Sequence, residues 1–296
     1  MSFSYINGSY TNNIDAQISV EDRGFNFSDG VYEVIGFRKG KLLNFNRHLN
    51  RLSKSLIDLQ ISKPFTNQNS LKIIINHLLK LNDINNGFLY IQITRGTARR
   101  NHLFPNNIKP NVVIFTFSRG GLDKIKKGVN VGLTKDQRWM RCDIKSISLL
   151  ANVLDKQKGH ERGFFEVWQS RKNFITEGTT SNAFIVNKKS QIYTHPKNNF
   201  ILGGVTRDCV VEIAVKNNLK VIEKAFDIND IKNCNEAFLT STTLGVVPVI
   251  KIEDIVINKD FVSTLKFLNK IKSVKIFMHT NQSGVCRGIF KIEPLQ

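Results

Sequence analysis

The segment DQRWMRCDIKS, Asp136–Ser146, decides how the rest of the chain is read. It sets Lys145 among apolar residues, with Trp139, Met140 and Ile144 before it and Ile147, Leu149 and Leu150 after it. Most of the other lysines stand in polar runs. Apolar surroundings strip hydration from an ammonium ion and favour a neutral amine, the form that condenses with an aldehyde. The segment therefore predicts a nucleophilic lysine. Taken in isolation, a surface lysine snorkelling from a strand end is the better reading, so the weight falls on what surrounds it.

The chain has 296 residues, enough for two ordinary domains with a substantial core. No apolar run approaches membrane-spanning length, and the start MSFSYINGSY lacks the basic and apolar parts of a signal peptide. The expectation is a cytoplasmic protein that does not enter a membrane. Cys142, Cys209, Cys234 and Cys286 show no CxxC spacing, so neither a metal site nor a disulfide framework is expected. The formal charge of +19 raises the possibility of a basic nucleic-acid-binding protein. The lysines are dispersed, however, with no basic block or aromatic-interleaved motif, and no nucleic-acid partner is expected. A positive field suits anionic substrates and a phosphate-bearing cofactor.

Outward from the lysine segment, Ser4–Asn7 and Ala16–Val20 read as short strands separated by the turn-rich NGSYTNN. Val31–Phe37 alternates, with Val31, Glu33 and Ile35 on one face and Tyr32, Val34 and Gly36 on the other. It reads as a strand beside a cleft or as an ordinary core strand. Asn44–Leu59 carries leucines at helical spacing, with His48 and Arg51 on one face, and an arginine there could grip a phosphate or simply be solvated. A second helix is expected over Ser70–Leu81, then strands at Phe88–Arg95 and Val112–Phe117. Between those strands, Arg99, Arg100 and His102 fit either a carboxylate-binding loop or a solvated one.

Glycine and charge at 119–128 mark an interdomain linker, dividing the chain into 1–118, a smaller N-terminal domain, and 129–296, a larger domain. Beyond the linker, Val129–Leu133 and Phe164–Gln169 read as strands and Ser148–His160 as a helix. Glu177 follows a strand and precedes Gly178 and the hydroxyls Thr179, Thr180 and Ser181. Gly203-Gly204 leads into a helix with Thr206 as its expected N-cap and Val210, Val211, Ala214 and Val215 inward; free N-H groups at such a helix start suit a phosphate. Ser241, Thr242 and Thr243 lie between two apolar strands, and Asp260–Ile271 reads as a further helix.

Taken in order, EDRGFNFSDGVYEV, FNRHLNRL, RGTARRNH, RWMRCDIKS, ITEGTTSN, LGGVTRD and TSTT resemble the fold-type IV pyridoxal phosphate enzymes, and within them the D-amino-acid aminotransferases. The resemblance runs from near the N-terminus to Ile250. It implies a mixed α/β (α+β) protein with a smaller N-terminal α/β domain and a larger, cofactor-binding C-terminal pseudo-barrel domain, assembled as a homodimer. It makes Lys145 the Schiff-base lysine and proton carrier, and Glu177 the partner of the pyridine nitrogen. Arg51, the backbone at Val205 and Thr206, and Thr242 become the phosphate holders, while Leu202 packs on the ring. Tyr32, Arg100 and His102 become the trap for the substrate α-carboxylate. The implied reaction is transamination between a D-amino acid such as D-alanine and a 2-oxo acid such as 2-oxoglutarate. Branched-chain aminotransferases and 4-amino-4-deoxychorismate lyases share the lysine, glutamate and phosphate motifs and stay open as alternatives. The resemblance ends after Ile250: KIEDIVINKDFV has no glycine, and 275–296 matches no placed element.

Overall fold

The computed structural model describes residues 2–118 and 128–257, which form two compact units. The expected helix at Asp260–Ile271, the segment 275–296, Cys286 and all of the expected linker except Gly128 lie outside the described residues.

The first unit contains β1 (Phe3–Ile6), β2 (Ser9–Asn12), α1 (Arg23–Phe27), β3 (Gly30–Arg38), β4 (Lys41–Leu42), α2 (Phe45–Asp58), α3 (Gln68–Leu81), β5 (Asn86–Thr94) and β6 (Asn111–Phe117). Its strands pair in the order β2-β1-β6-β5-β3-β4, antiparallel throughout. Leu49, Leu52 and Leu56 of α2 and Leu71, Ile75 and Leu78 of α3 join Val31, Ile35, Leu89 and Ile91 of the sheet in one core. The leucine spacing read from the sequence is this buried stripe. Asn67 caps α3 by accepting from the Ser70 N-H.

Near the N-terminus the outcome differs from the expectation. Ala16–Val20 is not a strand; β1 pairs instead with Ser9–Asn12, inside the stretch read as a turn. Asn7 and Gly8, both at positive φ, close a two-residue hairpin, so the turn is confined to that Asn-Gly pair and the following residues are released to pair. The short helix α1, capped by Asp22 accepting from the Phe25 N-H, was also not read from the sequence.

The first unit includes Ile144–Leu149, although the sequence reading assigned all of 129–296 to the larger domain. Hydrogen bonds from the Tyr32 N-H to the Lys145 carbonyl at 3.0 Å and from the Ile147 N-H to the Gly30 carbonyl at 3.1 Å bind this segment to β3.

The second unit contains β7 (Val129–Lys135), α4 (Leu150–Glu161), β8 (Glu166–Arg171), β9 (Phe174–Gly178), β10 (Asn182–Asn187), β11 (Ile192–Thr194), α5 (Val205–Lys216), β12 (Val221–Glu223), α6 (Ile228–Lys232), β13 (Cys234–Ser241), β14 (Gly245–Ile252) and β15 (Ile255–Val256). The strand path is β12-β11-β10-β13-β14-β7-β8-β9, with β15 on β14. Pairs β7-β8, β7-β14 and β11-β12 are parallel and the rest antiparallel, so both units mix helices with sheet as expected for an α+β chain. One face packs Trp168, Phe226, Leu239 and Val247; the other packs Phe184 and Phe238, stacked at 4.7 Å, against Val210, Ile213 and Ala214 of α5. Two expectations for α5 are corrected. Its N-cap is Gly204, not Thr206, and Val215 is 58% exposed, because the stripe facing the sheet runs through Val210, Ile213 and Ala214.

Candidate active site

In the first unit, the alternation of β3 turns Val31, Glu33 and Ile35 into the core. Glu33 is a carboxylate in an otherwise apolar layer, a position that requires partners. α2 supplies them from residues one turn apart. Arg51 grips Glu33 bidentately, Nε to Oε1 at 2.7 Å and Nη2 to Oε2 at 2.9 Å, and His48 Nδ1 lies 2.8 Å from Oε2. Burial would raise the Glu33 carboxyl, but the charge and hydrogen bonds of Arg51, helped by His48, hold it at about 2. His48 is pushed below its ordinary value by burial, an effect only partly offset by Glu33.

Tyr32, on the opposite face of the strand, stacks on Tyr90 at 5.6 Å, and Tyr90 on Phe115 at 4.8 Å. Lys145 Nζ lies 4.1 Å from the centre of the Tyr32 ring. The Lys145 backbone is fixed from both sides: its N-H donates to Ser55 Oγ at 3.1 Å and its carbonyl accepts from Tyr32. The side chain is thus half-buried against an aromatic face, on a backbone tied to both β3 and α2.

Arg100 and His102 are exposed and do not reach this cluster. Both lie on Phe27, the Arg100 guanidinium at 4.9 Å and the His102 ring at 5.3 Å from its centre. Beneath their loop, Asp29 holds Arg23 at 2.8 Å and Arg95 at 2.7 and 2.9 Å, and the Arg23 Nη1 donates to the Asn101 carbonyl at 2.5 Å.

In the second unit, Glu177, next to last in β9, is a buried carboxylate with three donors. Arg138 Nη1 donates to Oε1, Asn182 Nδ2 donates to Oε2 at 3.0 Å, and the Leu202 N-H lies 3.0 and 3.1 Å from the two oxygens. Burial raises this carboxyl above its ordinary value while Arg138 and the Leu202 N-H pull it back. Asn182 also donates to the Leu202 carbonyl at 2.9 Å, so one amide ties Glu177 to the turn that starts α5. A Cβ on Gly204 would run into Asn182 Oδ1, which is why glycine stands there.

Val205 and Thr206 are the first residues of α5, where backbone N-H groups have no acceptor within the helix. Register places Asn182 opposite Thr240, whose buried hydroxyl has no hydrogen-bond partner among the described residues, and the half-buried Thr242 follows in the β13-β14 turn. Asn182 and the Leu202 N-H therefore gather Glu177, Leu202 and the helix start together. Thr179, Thr180 and Ser181 serve a different carboxylate. All three hydroxyls donate to the buried Glu166, Thr180 at 2.8 Å and Ser181 at 2.9 Å.

Sequence reasoning missed Glu33, Arg138 and Asn182. An acidic residue on the core face of a strand was the available signal for Glu33; Arg138 and Asn182 gave none beyond their place in the quoted motifs.

The family model described as Amino-transferase class IV matches residues 30–252. A D-alanine aminotransferase of Staphylococcus haemolyticus is 39% identical over 251 residues, covering 84% of this chain and 88% of that protein. Two solved structures share the fold. A branched-chain aminotransferase from Thermoproteus uzoniensis with norvaline has a TM-score of 0.84 at 20% identity, covering 96% of this chain and 97% of that one. A T.th. branched-chain amino acid aminotransferase with pyridoxamine 5'-phosphate has a TM-score of 0.82 at 19% identity, covering 93% and 97%.

Proposed function

This chain belongs to the class IV amino-transferases, and from that premise we propose that it is a pyridoxal 5'-phosphate enzyme moving amino groups between D-amino acids, D-alanine foremost, and 2-oxo acids such as 2-oxoglutarate. The observation that carries the choice of substrate is the 39% identity to a D-alanine aminotransferase over most of both chains, whereas the branched-chain structures share the fold at 20% identity or less.

The donor set of the second unit suits such a cofactor. Glu177 has roughly four lone-pair sites and three donors upon it, which leaves room for one N-H from a protonated ring nitrogen. The start of α5 offers N-H groups to a phosphate, and the Thr240 hydroxyl, without a partner among the described residues, stands on the strand beside it. When bound, the cofactor supplies an electron sink for the electron pair left at the substrate α-carbon.

The chain's own residues do the rest. Lys145 would hold the cofactor through its amine and serve as the base that moves the proton at the substrate α-carbon; the Tyr32 face keeps its side chain in place. Glu177 would keep the ring nitrogen protonated, an electrostatic contribution from a fixed carboxylate. Arg51, the N-H groups of Val205 and Thr206, and Thr242 would hold the phosphate, and Leu202 would pack against the ring. Tyr32 would orient the substrate carboxylate; Arg100 and His102 lie on Phe27, away from Tyr32 within one chain, and in this reading they would complete the trap from the partner subunit's loop. The working form in this reading is a cytoplasmic homodimer; among the described residues no helix is long and apolar enough to cross a membrane.

Turnover of D-alanine against L-leucine with 2-oxoglutarate tests the reading. D-alanine should be the far better donor. Preference for L-leucine would make the chain a branched-chain enzyme, and pyruvate release from aminodeoxychorismate would make it a lyase.

A further inference from the structure

Arg138 lies two residues from one buried carboxylate and 39 from another, and its planar fork joins them. Nε and Nη2 grip Asp136 at 2.9 and 2.8 Å, Nη1 donates to Glu177, and Nη2 also reaches the Phe200 carbonyl at 3.1 Å. Asp136 is anchored in turn by Arg171 Nε and Thr176 Oγ1, each at 3.0 Å. The result is a line of alternating charges, Arg171, Asp136, Arg138 and Glu177, closed by backbone and amide donors.

We propose that Arg138 is a positioning residue for the transfer reaction: braced by Asp136, it keeps the Glu177 carboxylate ionised and fixes its rotation, so that the remaining oxygen lone pair faces the cofactor's ring nitrogen. The inference rests on the pairing of Glu177 with that nitrogen proposed above. A buried carboxylate with only an amide and one backbone N-H upon it reverts to the neutral acid, which can donate a hydrogen bond to the ring but cannot hold it protonated. The guanidinium opposes this, because its charge and hydrogen bond favour the carboxylate against burial. It also resists sideways movement, because two of its nitrogens are already committed to Asp136. Cys142 and His195 also sense the Arg138 charge, and both stay on the periphery of the line: Cys142 Sγ turns to the Trp139 carbonyl at 3.2 Å and His195 Nδ1 lies 2.8 Å from the Pro196 carbonyl.

The test uses the full chain, with and without bound pyridoxal phosphate, labelled with side-chain 13C glutamate; Glu177→Gln assigns the Glu177 signal. In Arg138→Met without cofactor, Glu177 should titrate at a higher pH than in the wild type. With cofactor, kcat for D-alanine and 2-oxoglutarate should fall roughly 100-fold, the size expected when a preorganised electrostatic contact is lost, with KM changed far less. Arg138→Lys, which keeps the charge but cannot bridge both carboxylates, should recover only part of kcat, and it carries the test if Arg138→Met does not fold. An unchanged Glu177 titration in both variants overturns the inference even where Glu177→Gln is inactive. If Glu177→Gln keeps wild-type kcat, the ring-nitrogen pairing falls and the inference falls with it.

Discussion

Glu33 has no exposed surface, and the Arg51 guanidinium, with the hydrogen bond from His48, makes that position tenable. The same arrangement sets an acid limit on the fold. Glu33 and Asp136 both titrate at about 2 in the folded chain, against ordinary values of 4.5 and 3.8. A folded value below the unfolded one means that the unfolded chain takes up protons first. Their contribution is therefore complete above the ordinary carboxylate range and is lost as pH falls from there toward 2. His48, also lowered, acts in the same sense at higher pH. Urea midpoints followed downward in pH should drop steeply through the carboxylate window. Glu33→Gln should be less stable at neutral pH and show a shallower drop; parallel curves for variant and wild type would refute the assignment. Little of this was legible beforehand. Lys145 and Glu177 stand in short motifs that can be read along the chain, but Glu33 and Arg51 are 18 residues apart, and their pairing exists only once α2 lies on β3.

Elements with strong periodicity came through from sequence to structure, as the leucine stripe of α2 and the alternation of β3 show. Ala16–Val20 did not, because its apolar residues had no partner strand once the Asn-Gly turn had given Ser9–Asn12 to β1. The hydroxyl run after Glu177 was legible only as composition; Glu166, which engages it, sits in a neighbouring strand. At the start of α5 the fit is tighter than a Gly-Gly turn alone suggests. Asn182 occupies the space beside Gly204 while holding both Glu177 and the Leu202 carbonyl. Gly204→Ala should displace that amide and loosen both the carboxylate and the helix start. The expected result is at least a roughly tenfold weaker affinity for pyridoxal phosphate, measured by fluorescence titration of the apo-protein, with a thermal midpoint within a few degrees of wild type. Unaltered affinity would show that the contact is not needed.

Across the whole molecule, the mixed sheets of both units and the family match over 30–252 agree with the fold read from seven ordered motifs. The substrate was less legible than the fold, since the lysine, glutamate and phosphate motifs serve several class IV reactions, and identity to a D-alanine aminotransferase narrows the choice. The central claim is that one amine, Lys145, holds pyridoxal phosphate and gives it up to a D-amino acid. It is tested most directly by the absorbance spectrum of the purified protein before and after adding D-alanine, run beside Lys145→Ala. The account predicts a visible cofactor band in the wild type that D-alanine shifts within the first turnover, and no such response in Lys145→Ala. A protein without the band, or a Lys145→Ala variant that responds to D-alanine as the wild type does, would contradict it.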